Sequence, residues 1–131
     1  MVETTRATFR KRERIVSEKL MEELFSGGNS HALTAFPLRA VYLQKDRNAG
    51  DEPVQVLVSV PKKRLRHAVD RNRVKRQVRE SYRLNKQALL SMLPCDKRLL
   101  LAFVWQSDRL SPTEEVESRV KNLLRRMAER L

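Results

Sequence analysis

The sequence predicts an α+β fold, a single-domain α-β sandwich in which a small mixed sheet is packed with helices in the order α-β-β-α-β-α. Three stretches carry this prediction. Residues 54–60 put Val54, Val56, Val58 and Val60 on one face and Gln55, Leu57 and Ser59 on the other, the period of a strand. Residues 70–90 have helical periodicity, with Val74, Val78, Tyr82 and Leu89 on one side and cations on the other. Residues 99–105, LLLAFVW, form a continuous apolar run suited to a strand covered on both faces.

The remaining elements follow in order. Residues 1–14 begin polar and end in Arg10-Lys11-Arg12-Glu13-Arg14, which reads as an irregular arm, with residues 1–8 mobile. Ser17 then precedes a short helix over 18–25, whose Leu20, Met21, Leu24 and Phe25 share one face. Gly27-Gly28 ends it, because glycine takes the left-handed conformation of a helix C-terminus. A strand is expected over 38–44, where Leu38, Ala40 and Tyr42 alternate with Arg39, Val41 and Leu43. The polar residues 45–53, with Asn48, Gly50 and Pro53, form a loop, and the strands on either side of it are expected to pair as an antiparallel hairpin. Pro61 closes the second of them. Asp70 is the expected N-cap of the basic helix. With the 99–105 strand this makes a βαβ unit if the flanking strands are parallel. Last, Ser111-Pro112-Thr113-Glu114 reads as a capping box with proline at the first helical position. Val116, Val120, Leu123, Leu124, Met127 and Leu131 make the apolar face of the closing helix.

At 131 residues the chain is read as one domain. Its formal charge is +12, and residues 62–86 hold eleven Lys or Arg against two acids, Asp70 and Glu80. Charge so concentrated is the footprint of a nucleic-acid binder. No window approaches the ~18 apolar residues of a membrane span, and the first residues lack the apolar core of a secretory signal. The single cysteine, Cys95, has no internal partner, so a reducing cytoplasm is the expected location.

Self-contained catalysis has no support in the sequence. The two histidines, His31 and His67, stand outside any zinc pattern, and three glycines at 27, 28 and 50 cannot build a phosphate loop. A nuclease acting alone would need an acidic cluster that no motif supplies. On the basic helix, Lys75, Arg76, Arg79, Arg83, Lys86 and Asn72 lie opposite the apolar stripe. Like charges at helical spacing repel, so a face this uniform is expected to meet an anion. A DNA-reading helix would need a helix-turn-helix companion or a zipper, and neither is present. Docking on structured RNA, by phosphate contacts with Asn72 available to a base edge or 2′-OH, fits better.

The segment VSVPKKRLRHAVDRNRVKRQVRESYR resembles the family of bacterial ribonuclease P protein subunits in the order of its strand, KK, Ala-Val, RNR and following Lys-Arg. Phe9-Arg10-Lys11-Arg12-Glu13-Arg14-Ile15 is similar to that family's N-terminal Leu-x-Lys-x-x-Arg-Leu signature, and Leu24-Phe25-Ser26-Gly27-Gly28 to the end of its first helix. The resemblance spans roughly residues 8–130. It implies a sandwich whose βαβ crossover is left-handed, against the usual preference. It implies a monomeric protein in a holoenzyme whose catalytic RNA removes the 5′ leader from precursor tRNA, with Mg²⁺ held mainly by the RNA and no catalytic residue in the protein. Lys62, Lys63, Arg64, Arg71, Asn72, Arg73, Lys75, Arg76 and Arg79 would then meet the catalytic RNA. Met21, Phe25 and Arg39 would line a cleft for the single-stranded leader, raising affinity for precursor substrate and Mg²⁺. Met21 stands where the family often has Phe, which leaves apolar contact in place of stacking. Residues 62–67 are more basic and longer than the family's usual turn. Phe25 fits plain core packing equally well. The alternative function is a ribosome-associated or chaperone-like RNA binder with no cleavage role.

Overall fold

The computed structural model describes residues 9–131; the expected mobile arm over 1–8 lies outside them. A 3₁₀ turn, Lys11–Glu13, leads into helix α1 (Glu18–Ser26). Strands β1 (His31–Ala35), β2 (Leu38–Asp46) and β3 (Val54–Ser59) follow, then helices α2 (Ala68–Asn85) and α3 (Gln87–Leu90), strand β4 (Lys97–Trp105) and helix α4 (Thr113–Ala128). The four strands form one mixed sheet in the order β1-β2-β4-β3. Strands β3 and β4 are parallel neighbours, Val56 opposite Leu101 and Val58 opposite Phe103, so β3-α2-β4 is the expected βαβ unit. The fold is α+β, as the sequence predicts.

The strand pairing differs from the sequence expectation. Strand β2 does not form a hairpin with β3, because β4 lies between them. Its hairpin partner is β1, and the two residues Phe36-Pro37, joined by a cis peptide, make the turn. Of the five residues of β1 only Leu33 is fully buried, so the stretch lacks the alternation that marks a strand. The long apolar β4 takes an interior place beside β2, and both strands bury side chains on both faces of the sheet.

Those faces make two cores. On one, α2, α3 and α4 cover Leu38, Ala40 and Tyr42 of β2, Val54, Val56 and Val58 of β3, and Leu99, Leu101, Phe103 and Trp105 of β4. Val74, Val78, Tyr82 and Leu89 are fully buried there, as their helical spacing requires. On the other, Ile15 and Leu24, with Leu20 and Met21, cover Val41, Leu43, Leu100 and Ala102. No helix among the described residues is long and apolar enough to cross a membrane.

The caps are partly as expected. Ser17 Oγ accepts from the Leu20 amide at 3.3 Å, and the left-handed glycine after α1 is Gly28, with φ +79°, while Gly27 closes the last turn in helical geometry. The N-cap of α2 is His67 rather than Asp70, which sits in the first turn where its charge still complements the helix dipole. The basic helix ends at Asn85 and resumes as α3 after Lys86. For α4 the N-cap is Pro112, not Ser111, and no side chain caps it. Instead Gln77 Nε2, buried on α2, donates to Ser111 O and Thr113 Oγ1, both at 3.1 Å, so the start of α4 is tied to α2 rather than to itself.

Helix α1 is held to the sheet partly by Lys45 of β2, whose Nζ donates to both carboxylate oxygens of Glu23 at 2.8 and 2.9 Å. That bond holds the Glu23 carboxyl below its ordinary value. A carboxyl depressed in the folded state stabilises above its unfolded pKa, and the contribution is lost as pH falls through the folded value. Glu23→Gln is therefore expected to cost at most ~1 kcal/mol at pH 7, since the pair is partly exposed. The gap to wild type should close in thermal melts taken below about pH 4. A constant gap across that range would assign the loss to packing.

Candidate nucleic-acid interface

Helix α2 buries Val74, Val78 and Tyr82, which turns Asn72, Arg73, Lys75, Arg76 and Arg79 outward or to the half-buried flank. Asn72, Lys75, Arg76, Arg79 and Arg83, with Glu80, form one wall of an open groove of about 530 Å³. Its opposite wall is Phe9 and Arg14 from the segment before α1. Glu80 is taken up by Arg83, whose Nε donates to its carboxylate at 3.1 Å, so the acid does little to offset the cations. Burial, and after it the charge of Arg14, pushes the Arg79 guanidinium down from its usual value. Two guanidiniums face the same space, an arrangement that an anion between them would relieve.

The structure separates the remaining predicted RNA contacts by environment. Arg71 turns back toward the preceding loop, its Nη1 donating to Leu65 O at 2.9 Å and Arg66 O at 2.8 Å. It braces the basic loop, so of the RNR tripeptide Asn72 and Arg73 are the exposed members. Leu65, 6% exposed, anchors that loop in the core. Lys62 and Lys63 are exposed on it, and Arg64 meets Asp108 at 3.4 Å.

A second, smaller cavity of about 240 Å³ lies between α1 and the sheet. Phe25 and Arg39 both line it, with Leu24, Val41, Ser30 and His31 around them. Phe25 is 48% exposed, which places it at the cleft rather than in the core. Met21 is not part of this lining; it is half-buried against Ile15, Leu24 and the sheet. Sequence reasoning missed Ser30 and His31 here because strand β1 was itself without a pattern. It also assigned no role to Phe9 and Arg14 beyond their place in the N-terminal signature. Among the described residues no group of three His, Cys, Asp or Glu side chains converges as a metal site.

A small α+β sandwich with a cationic groove on a helix face and an apolar-cationic cleft on the opposite layer has the make-up of a polyanion-binding domain. The family model described as Ribonuclease P matches residues 9–128. This chain belongs to that family. The ribonuclease P protein component of Porphyromonas gingivalis is 41% identical over 130 residues, which cover 95% of this chain and 91% of the relative. That of Chlorobium phaeobacteroides is 41% identical over 93 residues, 69% of this chain and 60% of the relative. Among solved structures, the RNase P protein from Thermotoga maritima superposes with a TM-score of 0.61 at 24% identity, covering 89% of this chain and 97% of that one. The Staphylococcus aureus protein does so at 0.64 and 18%, covering 88% and 94%. At those identities the structural likeness concerns the fold.

Proposed function

We infer that this chain is the protein subunit of the ribonucleoprotein enzyme that removes the 5′ leader from precursor tRNA. The observation that carries the inference is the family match, which runs over nearly the whole chain and includes both cavities. The exposed face of α2 and the Lys62-Lys63 loop contact the catalytic RNA through its phosphates. The cleft of Phe25 and Arg39 takes the single-stranded leader, an aromatic ring offering a stacking surface and a guanidinium offering phosphate contact. Met21 supports the cleft from below by packing α1 on the sheet. Mg²⁺ belongs to the RNA, whose phosphates supply the hard oxygen ligands it prefers. The protein lowers the Mg²⁺ requirement because its fixed cations offset phosphate repulsion that Mg²⁺ would otherwise have to screen.

Reconstitution with the organism's own catalytic RNA tests this reading. Added protein should lower the Mg²⁺ needed for leader cleavage and favour precursor over mature tRNA. A protein that binds the RNA without either effect would instead be an RNA-binding module with no cleavage role. Phe25→Ala should weaken precursor affinity severalfold and leave mature tRNA affinity alone, since stacking is worth ~1–3 kcal/mol per base. Equal losses for the two substrates would remove Phe25 from the leader path.

A further inference from the structure

Residues 10–14 carry four cations and one acid, Glu13, in a chain whose formal charge is +12. That acid is buried, at 9% exposure. Its Oε1 accepts from the Arg10 amide at 3.0 Å, and its Oε2 accepts from Lys86 Nζ at 2.8 Å. A carboxylate withdrawn from water needs such partners, because its desolvation is expensive without them. The pair joins the N-terminal segment to the end of α2, across most of the length of the domain in sequence.

Three further contacts dock the same segment. The Phe9 ring meets Tyr82 edge-on, with centroids 5.7 Å apart. The Ile15 amide donates to Val56 O at 3.0 Å, and Gln55 Nε2 donates to Arg12 O at 3.0 Å, which closes the free edge of β3. The Arg14 guanidinium lies 5.3 Å over the Phe9 ring and opens on the groove that faces α2. A guanidinium resting on an aromatic ring keeps its donors while losing rotational freedom, so it is presented ready to bind.

We propose that Phe9 and Arg14 form the second wall of the RNA-binding groove, and that Glu13 and Lys86 are the pair that positions it. The groove then grips one stretch of phosphodiester backbone from both sides, with α2 supplying one set of cations and Arg14 the other. Glu13 acts through Arg14 and touches no RNA. This rests on the RNA-subunit reading above and names further residues of that interface.

The sign of one substitution decides the matter. Glu13→Gln removes a negative charge, so electrostatics alone would make the protein bind RNA more tightly. Positioning predicts the opposite: affinity for the ribonuclease P RNA falls about fivefold, a coupling ordinary for side chains in direct contact. Arg14→Gln should weaken binding by a similar factor and lower the salt slope by about one. In the Arg14→Gln background, Glu13→Gln should cause no further loss, because the side chain it positions is gone. Unchanged or tighter binding by Glu13→Gln, or a loss undiminished in the double variant, overturns the proposal. Should Glu13→Gln fail to fold, Arg14→Gln at its exposed position decides alone, and an unchanged affinity and slope would reject the wall. Failure of the underlying reading looks different, since the wild-type protein itself would then neither bind nor activate the RNA.

Discussion

Replacing Lys75, Arg76 and Arg79 together with glutamine is expected to weaken binding to the catalytic RNA about a hundredfold at 0.15 M salt. All three line the groove on the outward side of α2. Each phosphate contact contributes a little under one unit to the slope of log affinity against log salt, so the slope should fall by roughly two to three. Stability should hold or rise slightly, because Lys75 and Arg79 are like charges at i and i+4, a spacing that costs a few tenths of a kcal/mol. Titration of labelled RNA across a salt series, beside a thermal melt, separates the two effects. A loss below about threefold with an unchanged slope would mean that the cations of α2 only solvate the helix.

Phe103→Ala is expected to be among the most damaging single substitutions to the fold, at ~3–5 kcal/mol. Phe103 is fully buried on the central strand, and its ring meets Tyr82 of α2 with centroids 6.4 Å apart. Truncation opens a cavity where the sheet and α2 meet, and neighbours held on rigid elements cannot collapse into it. Against a total stability of ~5–15 kcal/mol this is a large share. The melting temperature should drop by more than about 10 °C. Phe25→Ala, at a half-exposed position, should cost only about 1 kcal/mol. Comparable melting losses for the two phenylalanines would move Phe25 back into the core and out of the cleft.

Much of the candidate site was legible because charge and periodicity are local properties. The stripe of Val74, Val78 and Tyr82 determines which side of α2 faces the sheet, and so which residues face outward. The family resemblance, not helical spacing, puts Arg71 among the expected RNA contacts, and two backbone carbonyls of the preceding loop accept from its guanidinium. Phe25 could be read as core or cleft from sequence, since an apolar residue at helical spacing looks the same in either place. Its exposure resolved the matter, and Met21, which looked like its twin, went to the packing side.

By itself the sequence determined the α+β class, the apolar faces of the strands and helices, the central burial of residues 99–105 and the outward direction of the α2 cations. These depend on the order of residues along one element. Tertiary structure decided what depends on two elements meeting. It inserted β4 between β2 and β3, because a strand with two apolar faces gains more inside the sheet than at its edge. It made β1 a strand through pairing with β2, although its own pattern is weak. It also brought Glu13 to Lys86 and Arg14 across from Arg79. A groove with two walls is a relation between distant segments, and no local pattern encodes which pair of segments will face each other.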